Sequence, residues 1–158
     1  MLSKPLSVAL VIAACGAMAG TAQAVTLSLG APTISGRVAV TEPVTVTCSP
    51  FDPSLTLFAE GISVGIEQAS GRSIARGSAF VSGFLPTLPF ACDGSATTIP
   101  VTVLADTSGP PFHGGRAVFT VSAGASAGTP CFPGTTTCFT SPTDTQSTSS
   151  GPTTLNLH

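Results

Sequence analysis

The chain has 158 residues with 5 Lys+Arg, 7 Asp+Glu and 2 His, and charged residues make up only 8% of it, against roughly 25% in an average soluble domain. So few cations cannot neutralise a phosphate backbone, which excludes a basic nucleic-acid binder. An apolar content of 42% excludes a charge-driven disordered chain, and Glu, Lys and Leu are too sparse for a coiled coil.

The chain opens with Lys4, its sole lysine, followed by an apolar run from Pro5 to Ala19 and the small-residue segment Gly20-Thr21-Ala22-Gln23-Ala24. A positive start, a short apolar stretch and an A-x-A site make a secretory signal peptide over 1–24, helical while it is attached, with cleavage between Ala24 and Val25. The run of about 15 residues falls short of the roughly 20 that cross a bilayer, and no later stretch comes closer, so no membrane span is expected. Ile12-Ala13-Ala14-Cys15-Gly16 has the form of a bacterial lipobox, which makes a lipid anchor at Cys15 the alternative. Removal of 1–24 leaves one domain over 25–158 with no Lys, four Arg (Arg37, Arg72, Arg76, Arg116) and all seven acidic residues.

From Val25 onward the periodicity is two. Leu27 and Leu29 mark a short first strand. Between 38 and 48, Val38, Val40, Glu42, Val44, Val46 and Cys48 alternate with Ala39, Thr41, Pro43, Thr45 and Thr47. That is a half-buried strand with its inner face ending on Cys48. Pro43 cannot donate to a ladder, which predicts an edge or a bulge at Glu42-Pro43. Ile62, Val64 and Ile66 form the next alternation. Ser70-Gly71-Arg72 reads as a hairpin turn, and a strand follows from Ile74 to Val81. Ile99, Val101, Val103 and Ala105 alternate with Pro100, Thr102 and Leu104. Ala117, Phe119, Val121 and Ala123 repeat the pattern, and Leu155 and Leu157 mark a short last strand. About seven strands separated by Gly, Pro, Ser and Asp predict an all-β, immunoglobulin-like sandwich. The core Trp and corner Tyr of a true immunoglobulin domain are absent, so the likeness is one of architecture. The stretch 124–152 is rich in Gly, Ser, Thr and Pro and nearly free of branched apolar residues. Its composition predicts a mobile segment, centred on 141–151, that also offers hydroxyls for O-glycosylation.

Four cysteines remain after cleavage, Cys48, Cys92, Cys131 and Cys138, and an even count in an exported chain predicts disulfides. Three pairings are open. The nearest-neighbour choice joins Cys48 to Cys92 and Cys131 to Cys138, the latter across a Pro133-Gly134 turn. The spacing fits zinc poorly.

Catalytic chemistry finds little support. His113 is the internal histidine, with Asp106 seven residues away, but no G-x-S-x-G elbow accompanies it. His158 ends the chain and is expected to fray. Asp52, Asp93, Asp106 and Asp144 sit in separate loops without a calcium-loop pattern, and Asp93-Gly94 reads as a turn. Glu60 and Glu67 are a candidate acid–base pair, read instead as solvated carboxylates. No catalytic, metal or cofactor residue is therefore assigned. Phe112, Phe132 and Phe139 lie in expected loops, where an exposed ring would offer a partner contact and a buried one a satellite cluster.

The order of these features, with Ala91-Cys92-Asp93-Gly94 and Gly109-Pro110-Pro111-Phe112-His113-Gly114-Gly115-Arg116-Ala117, resembles small exported bacterial β-domains of unknown function common in actinomycetes. The resemblance covers roughly 37–125. It implies an extracellular immunoglobulin-like sandwich with a Cys48–Cys92 bridge and no activity. The resulting expectation is a secreted, non-enzymatic β-sandwich that binds an unknown protein or glycan, or serves structurally, at or outside the cell surface. Two alternatives stand beside it: a protease-inhibitor-like protein using the Cys131–Cys138 loop, and a hydrolase using His113.

Overall fold

The structure is a computed structural model that describes residues 24–84, 86–130 and 139–158. The expected signal peptide up to Gln23, Cys15, and the Cys131–Cys138 loop lie outside the described residues. Ala24 is the first described residue, and Val25, on the other side of the expected cleavage site, begins the first strand.

Among the described residues there are eight strands in chain order: β1 (Val25–Leu29), β2 (Thr33–Ser35), β3 (Ala39–Cys48), β4 (Thr56–Ser70), β5 (Ser73–Phe84), β6 (Ala96–Ala105), β7 (Gly115–Pro130) and β8 (Phe139–Leu157). All pairings are antiparallel, in the order β1-β3-β6-β5-β4-β7-β8, with β2 also on β3. β5 and β6 share only two paired positions, Gly77 with Ala105 and Ser78 with Leu104. The strands thus divide into two sheets, β1-β3-β6 and β5-β4-β7-β8, zipped at one corner. At the other side β8 comes round to pack on β1, and the Ile34 N–H donates to the His158 carbonyl at 2.8 Å. The result is a nearly closed, barrel-like sandwich. His158, expected to fray, accepts a backbone hydrogen bond.

The inward faces follow the alternation. β3 turns Val40, Glu42, Val44, Val46 and Cys48 inward, and β4 turns Glu60, Ile62, Val64, Ile66 and Gln68 inward. They meet Val101, Val103, Phe112, Phe119 and Val121 in one core. Pro43 takes neither expected form, because β3 runs through it without a change of register and has neighbours on both sides. Its missing donor faces the break between β1, paired as far as Leu29 with Val44, and β2, paired from Thr33 with Thr41. Across the sheet it stands opposite Pro100.

The β4–β5 hairpin pairs Ser70 with Ser73, leaving Gly71-Arg72 as a two-residue loop. Gly71 has φ 62°, the left-handed conformation that such loops place at a glycine. Gly77 serves a different purpose. A Cβ there would fall well inside van der Waals contact of Leu104 O and 2.9 Å from Val103 Cγ1, whereas at Gly65 the nearest atom would be 3.9 Å away. Gly77 is therefore what lets the two sheets zip together. Gly77→Ala is expected to cost about 1–3 kcal/mol, the usual cost of overpacking, while Gly65→Ala stays close to wild type. Urea unfolding of the two variants side by side checks this.

The 124–152 stretch departs from its compositional reading. Where composition predicted a mobile 141–151, β8 pairs with β7 from Phe139 to Leu157, with register shifts between Gly128 and Thr129 and between Phe119 and Val121. Ala123, Ala125 and Ala127 face inward on β7, continuing the alternation with methyl groups. Gly151 and Pro152 form a bulge between the Val121–Ser150 and Phe119–Thr153 pairs. Ser150 Oγ repairs the ladder there: it accepts from the Val121 N–H at 3.1 Å and donates to the Val121 carbonyl at 3.3 Å.

Candidate functional site

The residues singled out for chemistry are dispersed. His113 lies between β6 and β7, clasped to the end of β4. Gln68, buried, donates from Nε2 to the His113 carbonyl at 2.7 Å and accepts from the His113 N–H at 2.9 Å. The His113 ring nitrogens face two backbone carbonyls, Gly114 O at 2.8 Å and Ala69 O at 3.1 Å. A neutral imidazole donates to only one of them at a time. Among the described residues these ring partners include neither a hydroxyl nor a carboxylate, and the ring closes the end of the sandwich. Phe112, one residue earlier, is 0% exposed and belongs to the core. Phe132 lies outside the described residues.

Glu60 and Glu67 are seven residues apart on one strand and point to opposite faces. Glu67 is exposed and pairs with Arg76 at 2.9 Å. Glu60 is 4% exposed, not solvated as expected, and its Oε2 accepts from the Phe90 N–H at 2.9 Å. Burial pushes its carboxyl up to about 7, with the Phe90 hydrogen bond opposing. Asp52 and Asp93 each accept from the N–H and hydroxyl of the serine two residues on, Ser54 and Ser95. These bonds hold both carboxyls below the ordinary range. They are turn-building contacts. Among the described residues no three His, Cys, Asp or Glu side chains gather where a metal ion would sit.

Cys48 and Cys92 form a disulfide, closing a separation of 44 residues. It joins the inner end of β3 to the β5–β6 connection. Gln146 and Glu60 lie beside it, on one inward-facing row that passes through Ala125. Gln146 Nε2 donates to Ser49 O at 3.2 Å, and Glu60 Oε1 stands 4.0 Å from Cys92 Sγ. This polar cluster closes the end of the sandwich opposite His113.

The feature that the sequence reading missed lies on the outside of the β5-β4-β7-β8 sheet. Three rows cross these strands in register: Phe80–Ser63–Ser122–Ser149, Ser82–Gly61–Gly124–Ser147 and Phe84–Ala59–Ser126–Thr145. Phe80 is 69% exposed and Phe84 66%. The Phe80 ring leans over the middle row, for a Cβ on Gly61 would stand 2.9 Å from its Cζ. Beside it runs an open groove of about 530 Å³ floored by Gly61, Ser63, Ser122, Gly124, Ser147 and Ser149. A second depression of about 250 Å³ lies between the two rings. The signal was present in the parity of β5: once Ala75, Gly77, Ala79 and Val81 face the core, Phe80 and Phe84 must face out.

The arrangement can hold a ligand by ring contact and by hydroxyl hydrogen bonds, without charge. No protein-family model, curated protein or solved structure matches this chain.

Proposed function

We propose that this protein is an exported, non-enzymatic binding module of immunoglobulin-like architecture that engages its ligand through the outer face around Phe80. The observation that carries the reading is the pair of exposed phenylalanine rings standing in register over a Ser/Gly floor. Large rings left in water on a regular sheet face mark an interaction surface.

The immunoglobulin-like reading is supported by strand order. With β2 set aside, the first, second and fifth strands make one sheet, and the third, fourth, sixth and seventh the other. The fourth strand pairs along its length with the third and only at one corner with the fifth. This is close to the arrangement of constant-type domains, in which the fourth strand stays with the fifth. The disulfide differs from theirs, linking a strand end to a loop instead of bridging the two sheets. Export is supported by the A-x-A segment at Ala22-Gln23-Ala24 and by the disulfide, which persists in oxidising compartments. Among the described residues no helix is long and apolar enough to cross a membrane.

The test is retention of the purified full chain on envelope preparations of the cells that export it, compared with a Phe80→Ser/Phe84→Ser variant. Retention that falls to background in the variant, with an unchanged melting temperature, supports the reading. Equal retention of both proteins overturns it.

A further inference from the structure

We infer that the ligand of this face is a neutral polysaccharide built of pyranose rings with equatorial substituents. The inference rests on the binding-module reading and names its ligand class.

The lining of the groove carries the argument. Its floor offers the hydroxyls of Ser63, Ser122, Ser147 and Ser149, with the Phe80 ring as its wall. The ionisable residue beside the second depression, Glu60, is buried and spends its carboxylate on Phe90 N–H. The next charged side chains along β4 and β5, Glu67 and Arg76, lie beyond the Phe80 row and neutralise each other. A phosphate, an anionic lipid or an acidic glycan would find no cation here, and a basic peptide no anion. A pyranose with equatorial hydroxyls has the complementary form. Its C–H bonds collect on the ring faces, where they lie flat on an aromatic ring. Its hydroxyls collect on the rim, where they meet serine hydroxyls able both to donate and to accept.

Size separates this ligand from a protein partner. Two phenylalanines exposed by about two-thirds present roughly 200–350 Å² of apolar surface, against the roughly 450 Å² of apolar area within the ~800 Å² per partner that a standard protein interface buries. A second copy of this chain would therefore be held poorly by this face. Separate units of one sugar chain suit it, since Phe80 and Phe84 are four residues apart on one strand, about 13 Å. The groove is open at the surface, as an internal stretch of polymer requires.

The experiment is a pull-down of the full chain on microcrystalline cellulose, chitin and insoluble xylan, with calorimetric titration of the soluble hexasaccharide of whichever retains it. Retention on at least one of the three is expected. Phe80→Ala and Phe84→Ala should each weaken it about tenfold, while Phe80→Tyr and the distant, exposed Val38→Ala retain it. Melting temperatures establish that all variants are folded. The inference is overturned if none of the three polysaccharides retains the protein, if the alanine variants bind as well as wild type, or if the same variants instead abolish self-association seen by sedimentation. Envelope retention that needs both phenylalanines yet survives enzymatic removal of the polysaccharide overturns the glycan inference and leaves the binding reading standing. Envelope retention indifferent to the phenylalanines removes both.

Discussion

Raising the pH from about 5 to about 8 is expected to destabilise this protein by several kcal/mol, the reverse of ordinary acid denaturation. Two buried carboxylates cause it. Glu42 faces the core from the middle of β3, opposite Val101, and is 0% exposed. Its Oε1 accepts from the Gly30 N–H at 3.0 Å, and its Oε2 has no partner. Burial raises the Glu42 carboxyl from 4.5 to about 7, with the Gly30 bond opposing, and Glu60 is raised to about 7 in the same way. Between about pH 4.5 and 7 the folded protein therefore holds protons that the unfolded chain has released, and stability falls as pH rises through that window. Each group contributes at most about 3 kcal/mol. The acid limb lies lower: Asp52 and Asp93, held below their ordinary 3.8 by their serines, lose those bonds only as pH falls beneath that range. Urea unfolding at pH 5 and pH 8 measures the difference. Glu42→Gln keeps an acceptor for Gly30 and removes the charge, so it should stabilise the protein at pH 8 and shrink the pH dependence by about half. A wild type as stable at pH 8 as at pH 5 would sink this account.

The second large effect is loss of the Cys48–Cys92 bond. It closes a loop of 44 residues containing all of β4 and β5, and the loop-closure entropy returned to the unfolded chain amounts to about 4 kcal/mol. In a domain of this size that is a fall of roughly 10–15 °C in melting temperature. The Cys48→Ala/Cys92→Ala variant should show it, as should wild type held with a dithiol. Cys48 closes the inner face of β3, and its carbonyl accepts from Gly94 N–H at 2.9 Å, so the loop stays partly docked without the bond. Peptide mapping without reduction is expected to recover Cys48 linked to Cys92. A double variant within about 1 kcal/mol of wild type would contradict the entropic estimate.

Strands were legible wherever branched side chains marked the alternation. β3, β4, β6 and the first half of β7 could be read from Val, Ile and Phe at every second position. β7 beyond Ala123 and nearly all of β8 could not. Their alternation persists, but as Ala123, Ala125 and Ala127 against Gly and Ser, and methyl groups next to hydroxyls look like a linker. What makes them strand is the partner: each unbranched residue gains a ladder hydrogen bond and a packed neighbour only once β7 and β8 lie side by side. Glu60 was read as solvated for a similar reason. A carboxylate in an alternating run looks like a surface residue, and its burial depends on the 86–95 segment folding over it to supply the Phe90 N–H.

The site was less legible than the fold. Phe112, in a Gly/Pro-rich loop, was open to either a partner contact or a satellite cluster, and it lies in the main core. Phe80 and Phe84, which no motif marked, lie on a strand and are outside. One residue of register decides this, because successive side chains on a strand point to opposite faces. The run from Ile74 to Val81 has apolar residues of both parities, and no periodicity within it chooses between them.

By itself the sequence determined the all-β class, the inward face of β3 ending on a cysteine, the hairpin at Gly71 and the scarcity of charge, because these follow from local geometry and from what each side chain can solvate. Only the tertiary structure decided that two phenylalanines stand over a floor of serine and glycine drawn from β4, β7 and β8. Those strands are far apart in the chain, and they become neighbours only when the core they share has formed.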